Sequence, residues 1–240
     1  MAKDQVPSLG DSLSCFIALA PAVFAGTLLK KFQFSFVKIM SARMYRAFFG
    51  IHSFIPLMMT IHSILEPHIY AWLGYRVFNY LFAWTDLRWE RRLRNRFFQF
   101  SPVYVSAACM QWWLGRDCFA RHKCILPDTQ TPWYDPERMP PVSLFVGGRD
   151  KLVDGKKLIE RFEKVEKDVV LLRGQVDEEY EHLDCIWSMD CIERVGEKVR
   201  EDIWHTVLDD DVVVPEGCEE EEKGSKVRQK EREQREDVHI

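Results

Sequence analysis

The chain has 240 residues, 47% hydrophobic and 13% aromatic, with 33 basic against 37 acidic side chains and a net charge of −4. That apolar content suffices for a sizeable core and excludes global disorder. A near-neutral body, with no recognised module, argues against a nucleic-acid binder. From Asp209 to Ile240 there are 12 acids and 6 bases, which leaves 25 acids and 27 bases in Met1 to Leu208. The acidity belongs to the tail.

Ser14 to Ala20 is an apolar run closed by Pro21 and reads as a buried parallel strand. From Phe32 to about Leu126 the chain turns aromatic-rich and helical. Ala47 to Leu65 carry no Lys, Arg, Asp or Glu over 19 positions, the length and apolarity of a membrane span, against which Pro56, His52 and His62 count. Asp86 to Arg96 form a basic helical segment, read either as a solvated face in which Glu90 pairs with its neighbours or, with Trp72, Trp84 and Trp89, as a membrane-facing surface. Pro127 to Pro141 hold five prolines and form a linker.

Beyond the linker, Val142 to Val146 predict a strand ending in Gly147-Gly148-Arg149-Asp150. Asp154 is placed to cap a helix running through Val165, and Asp168 to Arg173 predict the last strand. A loop with one histidine, His182, follows. From Ile186 to Val207 apolar residues at 189, 192, 195, 199 and 203 predict a helix lying on a sheet face. Beyond Asp209, charge blocks without apolar periodicity predict a disordered tail.

Seven cysteines (15, 109, 118, 124, 185, 191, 218) form no C-x-x-C pair and no Cys/His set at zinc spacing. His52, His62, His68 and His122 read as structural, so no metal or other cofactor is expected. The odd count and the lack of a secretory signal in Met1 to Pro7 point to reduced thiols inside the cell, with a Cys118–Cys124 bridge left open.

The order strand, Asp150, helix, strand, loop, His182 is how an α/β-hydrolase supplies the last two members of a Ser…Asp…His series. A carboxylate on one ring nitrogen fixes the imidazole tautomer and frees the other nitrogen to take a serine proton. Asp184 reads as a cap for the next helix, whose positive end would favour the neutral imidazole. No G-x-S-x-G elbow occurs anywhere in the chain. A rival serine exists: Gly10-Asp11-Ser12-Leu13 spells the signature of the GDSL esterases, and Asp202-Ile203-Trp204-His205 fits their D-x-x-H. No apolar strand precedes Ser12, however, and Asp202 and His205 read as surface positions of a helix.

Tyr180-Glu181-His182-Leu183-Asp184-Cys185-Ile186-Trp187 resembles the histidine motif of the acid lipase family, which includes gastric and lysosomal lipases and fungal steryl ester hydrolases. Val146 to Asp150 resemble its aspartate motif, and Leu13 to Val23 the strand after its nucleophile helix, with an Ala-Pro turn near the substrate pocket. The likeness covers about residues 1 to 207. It implies the C-terminal part of an α/β-hydrolase sheet with a large helical cap: partial core at 1–26, cap at 27–135, core carrying Asp150 and His182 at 136–208, and tail at 209–240. It also implies that Ala2 to Gln5 end the helix after the catalytic serine. The serine and oxyanion donors would then lie upstream, and this chain alone would lack esterase activity. Ala47 to Leu65 would be cap helices lining an acyl pocket, unless they are plain core or a membrane segment. The implied partners are a lipid ester, triacylglycerol or steryl, and a membrane or lipid-droplet surface. A non-enzymatic lipid-associated protein is the other reading.

Overall fold

The computed structural model describes residues 10–207 apart from 32–36, 38, 51–56, 102–104 and 116–118. Three parallel strands, β1 (Phe16–Leu19), β2 (Val142–Gly147) and β3 (Leu171–Asp177), lie side by side in that order. The architecture is a small parallel sheet with flanking helices, an α/β fold matching part of an α/β-hydrolase.

β2 is fully buried and shows why a continuous apolar run suits a central parallel strand. Side chains alternate across a strand. Val142, Leu144 and Val146 therefore meet one layer, with Leu158, Ile159 and Phe162. Phe145 meets the other, with Tyr180, Cys185 and Val195. Each such side chain contributes about 1.5–3 kcal/mol by leaving water. Ser143, on that second face, donates to Asp202 at 2.8 Å.

β1 departs from expectation. Among the described residues it pairs only with β2, and Phe16 at its start is 46% exposed. An edge strand covers one flank only, so its apolar composition does not translate into burial.

Among the described residues, α1 (Ala42–Phe49), α2 (Leu57–Ile64), α3 (Pro67–Phe82), α4 (Arg91–Phe98), α5 (Ala107–Leu114) and α6 (Phe119–His122) lie between β1 and β2, and α7 (Gly155–Lys164) follows β2. The segment between β1 and β2 leaves and returns at one place, where Phe24 bridges Cys124. The uncharged 47–65 run is not one helix. α1 ends at Gly50, whose φ of 92° favours glycine, and α2 starts at Leu57. Among the described residues no helix is long and apolar enough to cross a membrane. Among the described residues Glu90 makes no ion pair; its carboxylate caps α4 by accepting from Arg92 N and Leu93 N, both at 2.9 Å. Cys124 is a free thiol, so it makes no bridge; Cys118 lies outside the described residues. His62 is structural as expected, with Nε2 2.9 Å from the Gln99 carbonyl.

α7 forms where predicted, with the Asp154 carboxylate accepting from Lys157 N at 3.1 Å. β3 starts later than the Asp168 to Arg173 prediction. Val169 is buried ahead of it, and the strand continues through Gly174 and Gln175. Those polar positions are strand because β2 supplies their pairing. A Cβ on Gly174 would press on Ile159, so glycine lets α7 lie close to the sheet.

α8 (Asp184–Trp187), a π-turn at Ile192–Gly196 and α9 (Glu197–Thr206) complete the fold. Of the predicted 186–207 stripe, Val195 and Val199 pack on Phe145 and Tyr180, whereas Met189, Ile192 and Ile203 are exposed. The π-turn shifts the register of the helix face, and the buried residue that results is Asp202, 5% exposed. The Arg173 fork binds Asp202 at 2.7 and 2.9 Å and, with Ser143, holds the carboxyl below its usual range against the opposing effect of burial. Asp202 is therefore a structural acid, not the surface position its sequence context implied. Contact density divides the chain into Met1–Thr206 and Val207–Ile240; the predicted tail from residue 209 lies outside the described residues.

Candidate active site

Asp150 follows the C-terminal tip of β2, in the turn where ligands sit on parallel sheets. Three backbone bonds build this turn: Gly148 N to Asp177 O at 2.6 Å, Arg149 N to Tyr180 O at 2.9 Å, and Asp150 N to Gly147 O at 3.3 Å. The first two tie the end of β2 to the end of β3 and the loop beyond it. A Cβ on Gly147 would collide with the Tyr180 carbonyl, so glycine here lets the histidine loop cross directly over the strand tip.

That crossing brings the two predicted residues together. His182 Nδ1 lies 2.8 Å from Asp150 Oδ2. The other carboxylate oxygen, Oδ1, accepts from Leu152 N at 2.8 Å and Val153 N at 3.1 Å. Asp150 is thus fixed by its own loop before it meets the imidazole. A carboxylate only accepts, so the geometry puts the ring proton on Nδ1 and leaves Nε2 as the free base nitrogen. Ala20 closes β1 at the same end of the sheet, bonded to Phe145 O at 2.8 Å with a left-handed φ of 46°.

Sequence reading missed the residues that hold the imidazole loop from the other side. The loop between α3 and α4 supplies three contacts. Trp84 is stacked between Phe82 (centroids 4.6 Å, 19°) and His182 (5.9 Å, 11°). Thr85 donates to the Glu181 carboxylate from its backbone at 2.6 Å and its hydroxyl at 3.2 Å. Trp89 Nε1 donates to Asp184 at 2.7 Å. Asp184 does not cap α8; its second oxygen accepts from Glu181 N at 2.7 Å. Residues 181, 182 and 184 are therefore all gripped by partners about a hundred positions earlier. The available signal was the pair of carboxylates flanking His182, which a loop buries only when donors are provided.

Burial raises the Glu181 and Asp184 carboxyls above their usual range. Trp89→Phe should therefore destabilise the fold by about 1–3 kcal/mol, through the Asp184 oxygen left without its donor. The lost donor raises the folded-state pKa of Asp184 further. The penalty should grow as pH rises through that value and shrink where Asp184 is protonated in both states. Thermal unfolding at two pH values checks this; equal losses at both would refute the role of the charge.

Tyr180, the most deeply buried residue of the loop, donates from its hydroxyl to Asp190 at 3.0 Å and accepts from Ser188 at 2.9 Å. Arg88 and Arg194 both lie over its ring, at 5.4 and 5.6 Å. A cleft of about 530 Å³ lies beside the loop, lined by Arg88, Arg149, Glu179, Glu181 and Asp190 among others. Neither Asp150 nor His182 lines it, and its carboxylates suit no apolar ester.

The rival serine is elsewhere. Gly10–Ser12 form a single 3₁₀ turn ahead of β1, and a Cβ on Gly10 would meet the Arg138 carbonyl just before β2. Ser12 therefore sits toward the N-terminal end of the parallel strands, and Asp150 follows their C-terminal end. Asp202 is committed to Arg173 and Ser143. Among the described residues no group of three His, Cys, Asp or Glu side chains is placed to hold a metal ion.

No family model matches the chain. It is 37% identical to "Sterol esterase 2" of Saccharomyces cerevisiae over 227 aligned positions, covering 81% of this chain and 41% of that protein. It is 28% identical over 203 positions to a protein described as a probable lipase of Schizosaccharomyces pombe, covering 76% of this chain and 40% of that one. The chain thus spans about two fifths of each relative. Over most of its own length the chain is similar to part of two proteins named as a sterol esterase and a probable lipase, and it carries Asp150 and His182 paired at the tips of a parallel sheet.

Proposed function

We propose that this chain carries the acid–base half of a serine hydrolase acting on apolar lipid esters, with Asp150 orienting His182. The observation that carries the reading is the 2.8 Å bond between Asp150 Oδ2 and His182 Nδ1, beyond the carboxyl end of a parallel strand. The chain holds no G-x-S-x-G elbow, so in this reading the serine and the oxyanion donors come from outside these 240 residues.

His182 Nε2 takes the hydroxyl proton as the serine oxygen bonds to the ester carbonyl carbon. The tetrahedral oxyanion collapses, and the departing sterol or glycerol oxygen receives the proton from Nε2. Water then repeats the sequence on the acyl-serine ester, releasing fatty acid. Asp150 holds the tautomer and offsets the imidazolium charge. No cofactor is required by this chemistry.

Such substrates reside in lipid phases, so we place the protein inside the cell at a membrane or lipid-droplet surface. The free thiols of Cys15, Cys109, Cys124, Cys185 and Cys191 suit a reducing compartment.

The test joins the part of the Saccharomyces relative that precedes its aligned segment to this chain and compares it with the chain alone on nitrophenyl and steryl esters. Turnover is expected only in the joined polypeptide. A folded joined polypeptide without turnover would favour a non-enzymatic lipid-binding protein. Hydrolysis by the chain alone, abolished by Ser12→Ala, would establish the GDSL reading instead.

A further inference from the structure

The bond to Asp150 fixes one atom of the His182 ring and leaves its plane free to tip. The torsion that turns a histidine ring is broad, and a hydrogen bond tolerates about 30° of misalignment. A general base needs more than that, since a misplacement of about 1 Å can cost on the order of 10²-fold in rate. A second contact has to set the plane.

The Trp84 indole supplies it, lying within 11° of parallel to the imidazole at 5.9 Å between ring centres. The indole is itself held. Ala83 takes a left-handed φ of 55° at the end of α3 and turns the chain toward the histidine loop. Asn79 Nδ2 donates to the Trp84 carbonyl, and Phe82 and Phe78 contact the ring at 4.6 and 5.7 Å. Stability alone does not account for an indole at this place. Its Nε1 is buried with no hydrogen-bond partner among the described residues, and an unmade bond of that kind opposes folding. A phenylalanine would pack against Phe78 and Phe82 without stranding a donor. What the indole adds is a second fused ring, and with it more flat surface for the imidazole.

We infer that Trp84 is a positioning residue for His182: its face fixes the imidazole plane while Asp150 fixes Nδ1, and the two together aim Nε2. The kinetic consequence rests on the proposed role of His182 as a base, whereas the order of the ring can be read without any reaction.

The first measurement therefore uses the full chain alone. Nitrogen-resolved NMR at fixed pH follows the His182 Nδ1 proton, which a ring held against Asp150 protects from exchange with water. The parent and Trp84→Phe should both keep that protection. Trp84→Leu should exchange it about tenfold faster or more, through tipping of the ring. Phe162→Leu, which loosens the layer on the opposite face of β2, should behave like the parent. Circular dichroism confirms folding, and if Trp84→Leu does not fold, Trp84→Met takes its place with the same expectation. In the joined polypeptide, Trp84→Leu should lower kcat by about tenfold to a hundredfold with KM unchanged, and Trp84→Phe should keep most of the rate. The assignment falls if exchange in Trp84→Leu equals that of the parent, or if Phe162→Leu speeds it as much. It also falls if Trp84→Phe slows turnover as far as Trp84→Leu, which would give the role to the indole N–H. A joined polypeptide without turnover removes the proposed function, and proton exchange then decides the positioning role by itself.

Discussion

His182→Ala in the joined polypeptide is expected to lower turnover by about 10⁴-fold or more, since members of a catalytic triad act as a unit. The structure gives the reason. Nδ1 is committed to Asp150, so the only nitrogen left to accept the serine proton is Nε2 of this same ring. No other histidine pairs with a carboxylate at hydrogen-bonding distance among the described residues; His68 lies 4.0 Å from Glu66 on an exposed helix start. Asp150→Asn should cost on the order of 10⁴ as well, because an amide placed there can donate to Nδ1 and stabilise the wrong tautomer. The loop itself should survive that change if the amide oxygen keeps the bonds from Leu152 N and Val153 N. Ser12→Ala, at the opposite end of the strands, should leave turnover unchanged. Rates measured on folded variants decide the matter: an active His182→Ala protein would remove the proposed chemistry.

The largest expected effect on stability lies far from the imidazole. Arg161→Met should destabilise the fold by about 3–5 kcal/mol, the usual cost of stranding one partner of a buried ion pair. Glu166 is 1% exposed and Arg161 6%. The guanidinium reaches Glu166 at 3.0 Å, donates to the carbonyls of Thr129 at 2.7 Å and Thr131 at 2.9 Å, and lies 3.5 Å from the Trp133 ring centre. The Glu166 carboxylate in turn accepts from Trp133 N at 2.9 Å. This pair therefore fastens the proline-rich linker to α7. Arg161→Met with Glu166→Gln should recover part of the loss, because no unpaired charge is then left buried. Denaturant midpoints at constant m-value test this; a single variant within about 0.5 kcal/mol of the parent would refute it.

Several features were legible in the sequence because their causes are local. β2 follows from four apolar residues among the five positions Val142 to Val146, and α7 from Asp154 followed by a periodic helix. The separation of Asp150 and His182 is set by one helix and one strand, which is short-range information. Their pairing could therefore be expected before any coordinates.

What the tertiary structure decided has non-local causes. β3 extends over Gly174 and Gln175 because β2 offers partners, not because those residues favour a strand. Asp202 looked like a surface acid, and the Arg173 fork and Ser143, 29 and 59 residues away, made it a buried one. Asp184 looked like a helix cap, and its real donors are the Trp89 indole and the Glu181 amide. The apolar run at 47–65 attracted attention by hydropathy. An exposed apolar stripe also lies on α3 at 69–80, which depends on which face meets Phe98. The amino-acid order alone determined the strand, the capped helix and the spacing of the dyad, since each needs only neighbours within a few turns of chain. Burial of a charge, orientation of a helix face and the grip of the Trp84–Trp89 loop on His182 depend on contacts between residues up to about a hundred positions apart, and only the folded chain could set them.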